Sequence, residues 1–157
     1  MMSPAGSEHG RIASRILVRL GAHVEQHQLG ETYAAKTGFL IAAAPDTVRA
    51  PDAAYVSHAR LHSIASTRGY LPLAPDLVVE VVSPHDSFSD VELKAADWIN
   101  TGSRIVLVAD PANQMLQAYF PGGKREIYHQ GDVFDAGEIC GNWRLAVSDV
   151  FQVAPSA

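Results

Sequence analysis

Ala74-Pro75-Asp76-Leu77-Val78-Val79-Glu80-Val81-Val82-Ser83-Pro84 sets a carboxylate in the middle of a valine-rich run closed by proline on both sides. Six residues of this kind, Leu77 to Val82, read as a short strand buried on both faces. An ionised glutamate is poorly tolerated there unless it is paired or bound to a metal, because removing its charge from water is costly. The side-chain period of two puts Asp76, Val78, Glu80 and Val82 on one face, with the two acids about 13 Å apart along an extended strand. Only one of them can therefore serve a given metal centre. Asp76 directly follows Pro75 and reads as a cap at the strand start. The plain alternative for Glu80 is an edge-strand carboxylate facing solvent or paired with Arg104.

Downstream, Ser89-Asp90-Val91-Glu92 matches a helix capping box and predicts a helix over Val91 to Thr101, ended by Gly102. Its apolar stripe is Val91, Ala95 and Trp98, with Ile99 on the flank. Lys94 lies three residues after Val91 and four before Trp98, which runs its stem beside the buried face. Arg104 to Ala109 is a second buried strand, closed by the turn Asp110-Pro111-Ala112-Asn113. Strand, helix and strand at this spacing form a βαβ unit, whose right-handed crossover makes the two strands parallel in one sheet. Met115 to Phe120 and Arg125 to His129 form a hairpin around Pro121-Gly122-Gly123, and Trp143 to Phe151 reads as a last strand or edge segment.

Upstream, Met1 to Ser7 is small and polar and is expected to fray. Ile12, Ile16, Leu20 and Val24 recur every four residues, the pattern of an amphipathic helix with Gly30 as its stop. Thr32 to Ala44 reads as strand with a turn at Lys36-Thr37-Gly38, and Val48 to Val56 as strand broken at Pro51-Asp52, where proline marks an edge or a strand start. Ser57 to Leu73 is a mixed connection with a short helical turn near Arg60-Leu61 and Ile64.

At 157 residues the chain is expected to be a single domain spanning 1–157. A formal charge of −5 argues against a strongly electrostatic, non-specific nucleic-acid binder, while leaving room for a local basic groove. The lone Cys140 allows no internal disulfide and fits a reducing compartment, so the cytoplasm is the expected location. No run approaches a membrane span, and the N-terminus lacks a secretory pattern.

Thr47-Val48-Arg49-Ala50-Pro51-Asp52, the Pro75 to Pro84 block, Lys94 and Val108-Ala109-Asp110-Pro111 together closely resemble the Uma2 family, the DUF820 group of restriction endonuclease-like proteins. The likeness runs from about His9 to Phe151. It implies an α/β fold similar to the PD-(D/E)xK nucleases, a mixed central sheet flanked by helices. It also implies that Asp52 matches the first metal-binding aspartate, Glu80 the acid of the D/E-x-K element, and Lys94 its lysine. The lysine is displaced, because the usual position two residues after the acid holds Val82. A lysine on the following helix can reach the same point, since its stem spans about 6 Å and the helix packs on the sheet. Lys94 is the only lysine or arginine of that helix.

A Mg²⁺ ion, with Mn²⁺ as a substitute, would offset repulsion between Asp52 and Glu80, with the Val81 carbonyl as third protein ligand. The implied reaction is metal-dependent hydrolysis of DNA phosphodiester bonds, by an active endonuclease or a degenerate descendant of one. The alternatives are structural: turn chemistry for Asp52 and a solvated helix position for Lys94. At the level of the whole chain, the rival is a non-catalytic, dimeric interaction module in which Asp52, Glu80 and Lys94 form an internal ion-pair network. His23 and His27 are four apart on a helix, yet no third ligand accompanies them, and Gly122-Gly123-Lys124 lacks the surroundings of a P-loop. Members of the family usually carry an "E-L-I-D-G-E"-like hairpin before the first helix, which this sequence does not contain, so the expectation is either a misassigned start or a shortened relative lacking that element, with Glu8, Glu25 or Glu31 as candidate replacements for its acid. An uncovered sheet edge is then expected to recruit a second copy, giving a homodimer.

Overall fold

The computed structural model describes residues 4–153. Helix α1, Ser7–Gln26, buries Ile12, Ile16, Leu20 and Val24, the stripe that the four-residue spacing predicts. Residues 1–3 of the segment expected to fray lie outside the described residues, and Ser7 is already helical. The helix ends before Gly30, which instead opens strand β1, Gly30–Ala34. A Cβ at Gly30 would meet the Val56 carbonyl oxygen at 2.0 Å, so close approach of two strands, not helix termination, demands the glycine.

The chain continues through β2, Phe39–Ala42, β3, Thr47–Arg49, β4, Ala53–Ser57, and the short helix α2, His58–His62. The valine-rich run is β5, Leu77–Val81, followed by α3, Phe88–Asn100, and β6, Ile105–Asp110. β7, Met115–Tyr119, and β8, Arg125–Tyr128, form the expected hairpin. β9, Val133–Asp135, β10, Arg144–Ala146, and α4, Val147–Phe151, complete the order. The terminal segment read as strand is thus a three-residue strand followed by a helical turn, paired with a β9 that the sequence did not announce.

Six strands form the central sheet in the order β1-β4-β5-β6-β7-β8. The β5–β6 pair is parallel and its neighbours antiparallel, the mixed sheet of the expected α/β class. Leu77, Val79 and Val81 face the core under α1, whereas Val78, Val106 and Val108 face Ala95 and Trp98 of α3. β5 lies inside the sheet, which removes the edge-strand reading of Glu80. β2 and β3 leave the sheet to form a separate ribbon, so the two halves of the Thr32 to Ala44 stretch belong to different layers.

The cap of α3 is Ser87, two residues before the serine expected. Its hydroxyl accepts from Asp90 N at 3.1 Å and Asp90 Oδ2 accepts from Ser87 N at 3.0 Å. Ser87-x-x-Asp90 satisfies the same reciprocal geometry with a shorter acid. Gly102 follows the helix at φ +123°, as the stop requires.

Asp76 does more than cap a strand. It is buried, Oδ2 accepts from Ser57 N at 2.8 Å, and Oδ1 lies 3.4 Å from Arg60 Nη1 of α2. It therefore ties the start of β5 to the end of β4 and to α2. Asp76→Ala should lower stability by about 2 kcal/mol, the loss of charge-assisted hydrogen bonds around a buried amide, read as a reduced urea midpoint. An unchanged midpoint would show that the pair contributes nothing net.

Candidate active site

β4 and β5 are antiparallel, so the first residue ahead of β4 and the last residues of β5 meet at one end of the sheet. Asp52 sits at that junction after the buried Pro51, which has no amide to donate. Its own amide donates to the Val79 carbonyl at 3.1 Å, and its Oδ2 accepts from Val81 N at 2.8 Å. Asp52 thus grips the residues on both sides of Glu80. Instead of closing a local turn, the carboxylate reaches across to the neighbouring strand.

Glu80 projects on the α3 side, where Trp98 Nε1 donates to its Oε1 at 3.0 Å. Although the residue keeps some surface, burial pushes its carboxyl up from 4.5 to about 7, and the nearby charge of Asp52 adds to that rise. The Trp98 hydrogen bond and the Lys94 charge oppose it. Among the described residues no arginine pairs with Glu80: the partner is an indole, so the Arg104 alternative does not hold.

Lys94 stands on the second turn of α3 and shares with Glu80 the walls of two adjoining recesses, one of about 320 Å³. Its side chain is half exposed, and Nζ lies 3.7 Å from Asp86 Oδ1 in the β5–α3 loop. The helix position therefore brings the ammonium to the cleft that holds Glu80, with Asp86 as its present partner. Asp52, the neighbours Glu80 and Val81, and Lys94, three widely spaced points in the sequence, are gathered at one end of the sheet.

Several residues at this end escaped the sequence reading. His9 from the first turn of α1 places Nε2 3.3 Å from Asp52 Oδ2. Nothing in the local sequence distinguishes it from a surface histidine. Trp98 was legible only as a core residue, although a buried indole N–H needs a partner and could have pointed to Glu80. Arg49 of β3 and Asp97 of α3 form an ion pair at 3.0 Å on the wall of the larger recess. Of the candidate replacement acids, Glu8 is set toward Arg11 at 4.0 Å, while Glu25 and Glu31 are exposed. His23, by contrast, is engaged with the carbonyl oxygens of Cys140 and Gly141, both at 3.0 Å, which leaves the His23/His27 pair a structural one.

The donor set suits a hard divalent cation. Two carboxylates on adjoining strands are oxygen ligands, and a cation between them would remove the repulsion and desolvation that hold a proton on Glu80. Among the described residues no three His, Cys, Asp or Glu side chains form a ready ligand cluster. A larger cleft of about 860 Å³ on another flank of α3 contains neither Asp52 nor Glu80, and its Arg125 is already paired with Glu92 at 2.9 Å. Glu80 and Lys94 both line the smaller recess.

A crystal structure described as that of "a putative nuclease belonging to DUF820", from Anabaena variabilis ATCC 29413, is similar to this chain with a TM-score of 0.78 and 19% identity. The match covers 96% of this chain and 83% of that one, and shows a shared nuclease-like fold. No curated protein matches the chain. The profile of the Uma2 family, described as "Putative restriction endonuclease", matches residues 1–148. Since that match spans nearly the whole chain, the chain belongs to the Uma2 family.

Proposed function

We propose that the protein is a metal-dependent endonuclease that hydrolyses phosphodiester bonds in DNA, with Mg²⁺ as its ion and Mn²⁺ able to replace it. The observation that carries this reading is the grip of Asp52 on both neighbours of Glu80, which sets two carboxylates together where one is pushed up to about 7. Such perturbed acids concentrate where a charge is to be received. Asp52, Glu80 and the Val81 carbonyl would hold the ion, which supplies an activated water and offsets charge on the phosphoryl group. Hydrogen bonds from Val81 N and Trp98 Nε1 fix the two carboxylates, so little reorganisation is needed when they bind. Lys94 would leave Asp86 to orient the attacking water or neutralise a phosphate oxygen.

A second reading is a non-catalytic module. The pairing of Lys94 with Asp86 favours it, because the lysine already has a carboxylate partner. Metal binding separates the two. Either protein could be a homodimer formed through an outer strand of the sheet, where Ile127 of β8 is 44% exposed. Among the described residues no helix is long and apolar enough to cross a membrane.

A carboxyl whose pKa rises on folding binds its proton more tightly in the native state. It therefore favours the fold at low pH, and that contribution is lost as pH climbs from the ordinary carboxylate range to about 7. At ~1.4 kcal/mol per pKa unit the effect is about 3 kcal/mol. Glu80→Gln imitates the protonated acid. In metal-free buffer it should be more stable than the wild type at pH 8 and nearly equal at pH 5, as thermal melts would show. The same variant should lose Mn²⁺ binding in calorimetric titration, and equal affinity in the two proteins would reject the metal site.

Lys94→Met should abolish Mg²⁺-dependent nicking of a plasmid while leaving Mn²⁺ affinity almost unchanged, since lysine is not a ligand. Arginine should rescue poorly, because its planar fork places its donors differently. A fully active methionine variant would remove Lys94 from the mechanism.

A further inference from the structure

The β2–β3 ribbon is built onto the site. Phe39, fully buried, packs edge-on to the Trp98 ring with centroids 6.4 Å apart, and Trp98 in turn donates to Glu80. Phe39 is the direct cross-strand partner of Arg49. Partners of this kind project to the same side of a ribbon. Anchoring Phe39 on Trp98 thus delivers Arg49 to the mouth of the recess that contains Glu80 and Lys94.

There, Arg49 Nη2 meets Asp97 Oδ2 at 3.0 Å, with the two side chains 46% and 50% exposed. A pair so open to water is worth about 0–1 kcal/mol. It can exchange partners cheaply. The guanidinium fork matches a phosphate at least as well as a carboxylate, and it stays charged at any working pH. A chain with a formal charge of −5 must concentrate its few cations where a polyanion is to bind.

We propose that Arg49 is a nucleic-acid backbone contact of this site and that Asp97 is its internal competitor, holding the guanidinium across the recess until a DNA phosphate displaces it. This rests on the nuclease reading and deepens it, by naming the residue that receives a phosphate flanking the scissile one and an acid that restrains binding.

The test is equilibrium binding of a fluorescently labelled duplex of about two helical turns, followed by anisotropy in Ca²⁺ across a range of salt concentrations. Arg49→Ala should weaken binding about tenfold and lower the slope of log affinity against log salt by about 1. Asp97→Asn should tighten binding about threefold, the release of one exposed pair. In the Arg49→Ala background that gain should vanish. Asp149→Asn, which removes the same charge from a pair with Arg19 at 3.8 Å outside the recess, is the control and should not tighten binding comparably.

A wild-type affinity and salt slope in Arg49→Ala would overturn the proposal, as would a gain from Asp97→Asn that persists without Arg49. Asp97→Asn keeps the helix and the ribbon intact, so its result stands even if the arginine variant folds poorly. A wild-type protein that binds no duplex in Ca²⁺ would defeat the nuclease reading and this inference together. Normal wild-type binding with indifferent variants defeats this inference alone.

Discussion

A carboxyl carried by an interior strand is the constraint around which this end of the molecule is arranged. β5 is covered on one face by α1 and on the other by α3, and its valines supply the burial that holds the sheet between two helical layers. Glu80 interrupts that pattern at a cost of about 3 kcal/mol when ionised at neutral pH, judged from its rise to about 7. A strand optimised for stability alone would carry another valine there. The Trp98 hydrogen bond and the Lys94 charge limit the penalty without abolishing it, whereas the charge of Asp52, fixed beside Glu80 by its bonds to the flanking amide and carbonyl, adds to it. The native state thereby stores an unfavourable charge arrangement that a cation would relieve.

The same constraint explains why contributions come from so many elements. α1 brings His9 to Asp52, the entry to β4 brings Asp52, β5 brings Glu80, α3 brings Trp98 and Lys94, and the ribbon brings Arg49. Helix α3 is central because Ala95 and Trp98 fix its rotation on the sheet. Once they are buried, the helical period leaves Lys94 and Asp97 along the rim of the recess. Phe39 extends that logic to the ribbon, since its ring is held between Tyr33 and Trp98. Packing and the candidate site therefore share residues, and changes to the aromatic cluster should be felt at the carboxylates.

Much of the fold was legible because it follows from local pattern. The four-residue stripe of α1, the apolar runs of β5 and β6, and the helix between them each depend on neighbours within a few positions. Where reading failed, the competing residue was also local but equivalent in kind. Ser87 with Asp90 and Ser89 with Glu92 both satisfy the capping pattern, and only the course of the loop after Pro84 selects the first. Gly30 could stop a helix or admit a strand, and the approach of Val56 decides. β9 is three residues long, too short for periodicity to register.

By itself the sequence determined that β5 would be buried, that β6 would lie parallel to it across a helix, and that Glu80 would be out of place unless it had a task. These are consequences of side-chain alternation, helical period and the cost of burying charge, all readable along one chain segment. Only the tertiary structure decided that Asp52 would grip both neighbours of Glu80, that Asp76 would instead serve Arg60 and Ser57, and that His9 and Arg49 would reach the same end of the sheet. The alternation of side chains assigns a face to a residue but not a neighbouring strand. Partners come from strand order, register and the angle at which helices and ribbon are laid on the sheet, and those are settled by the packing of the whole core.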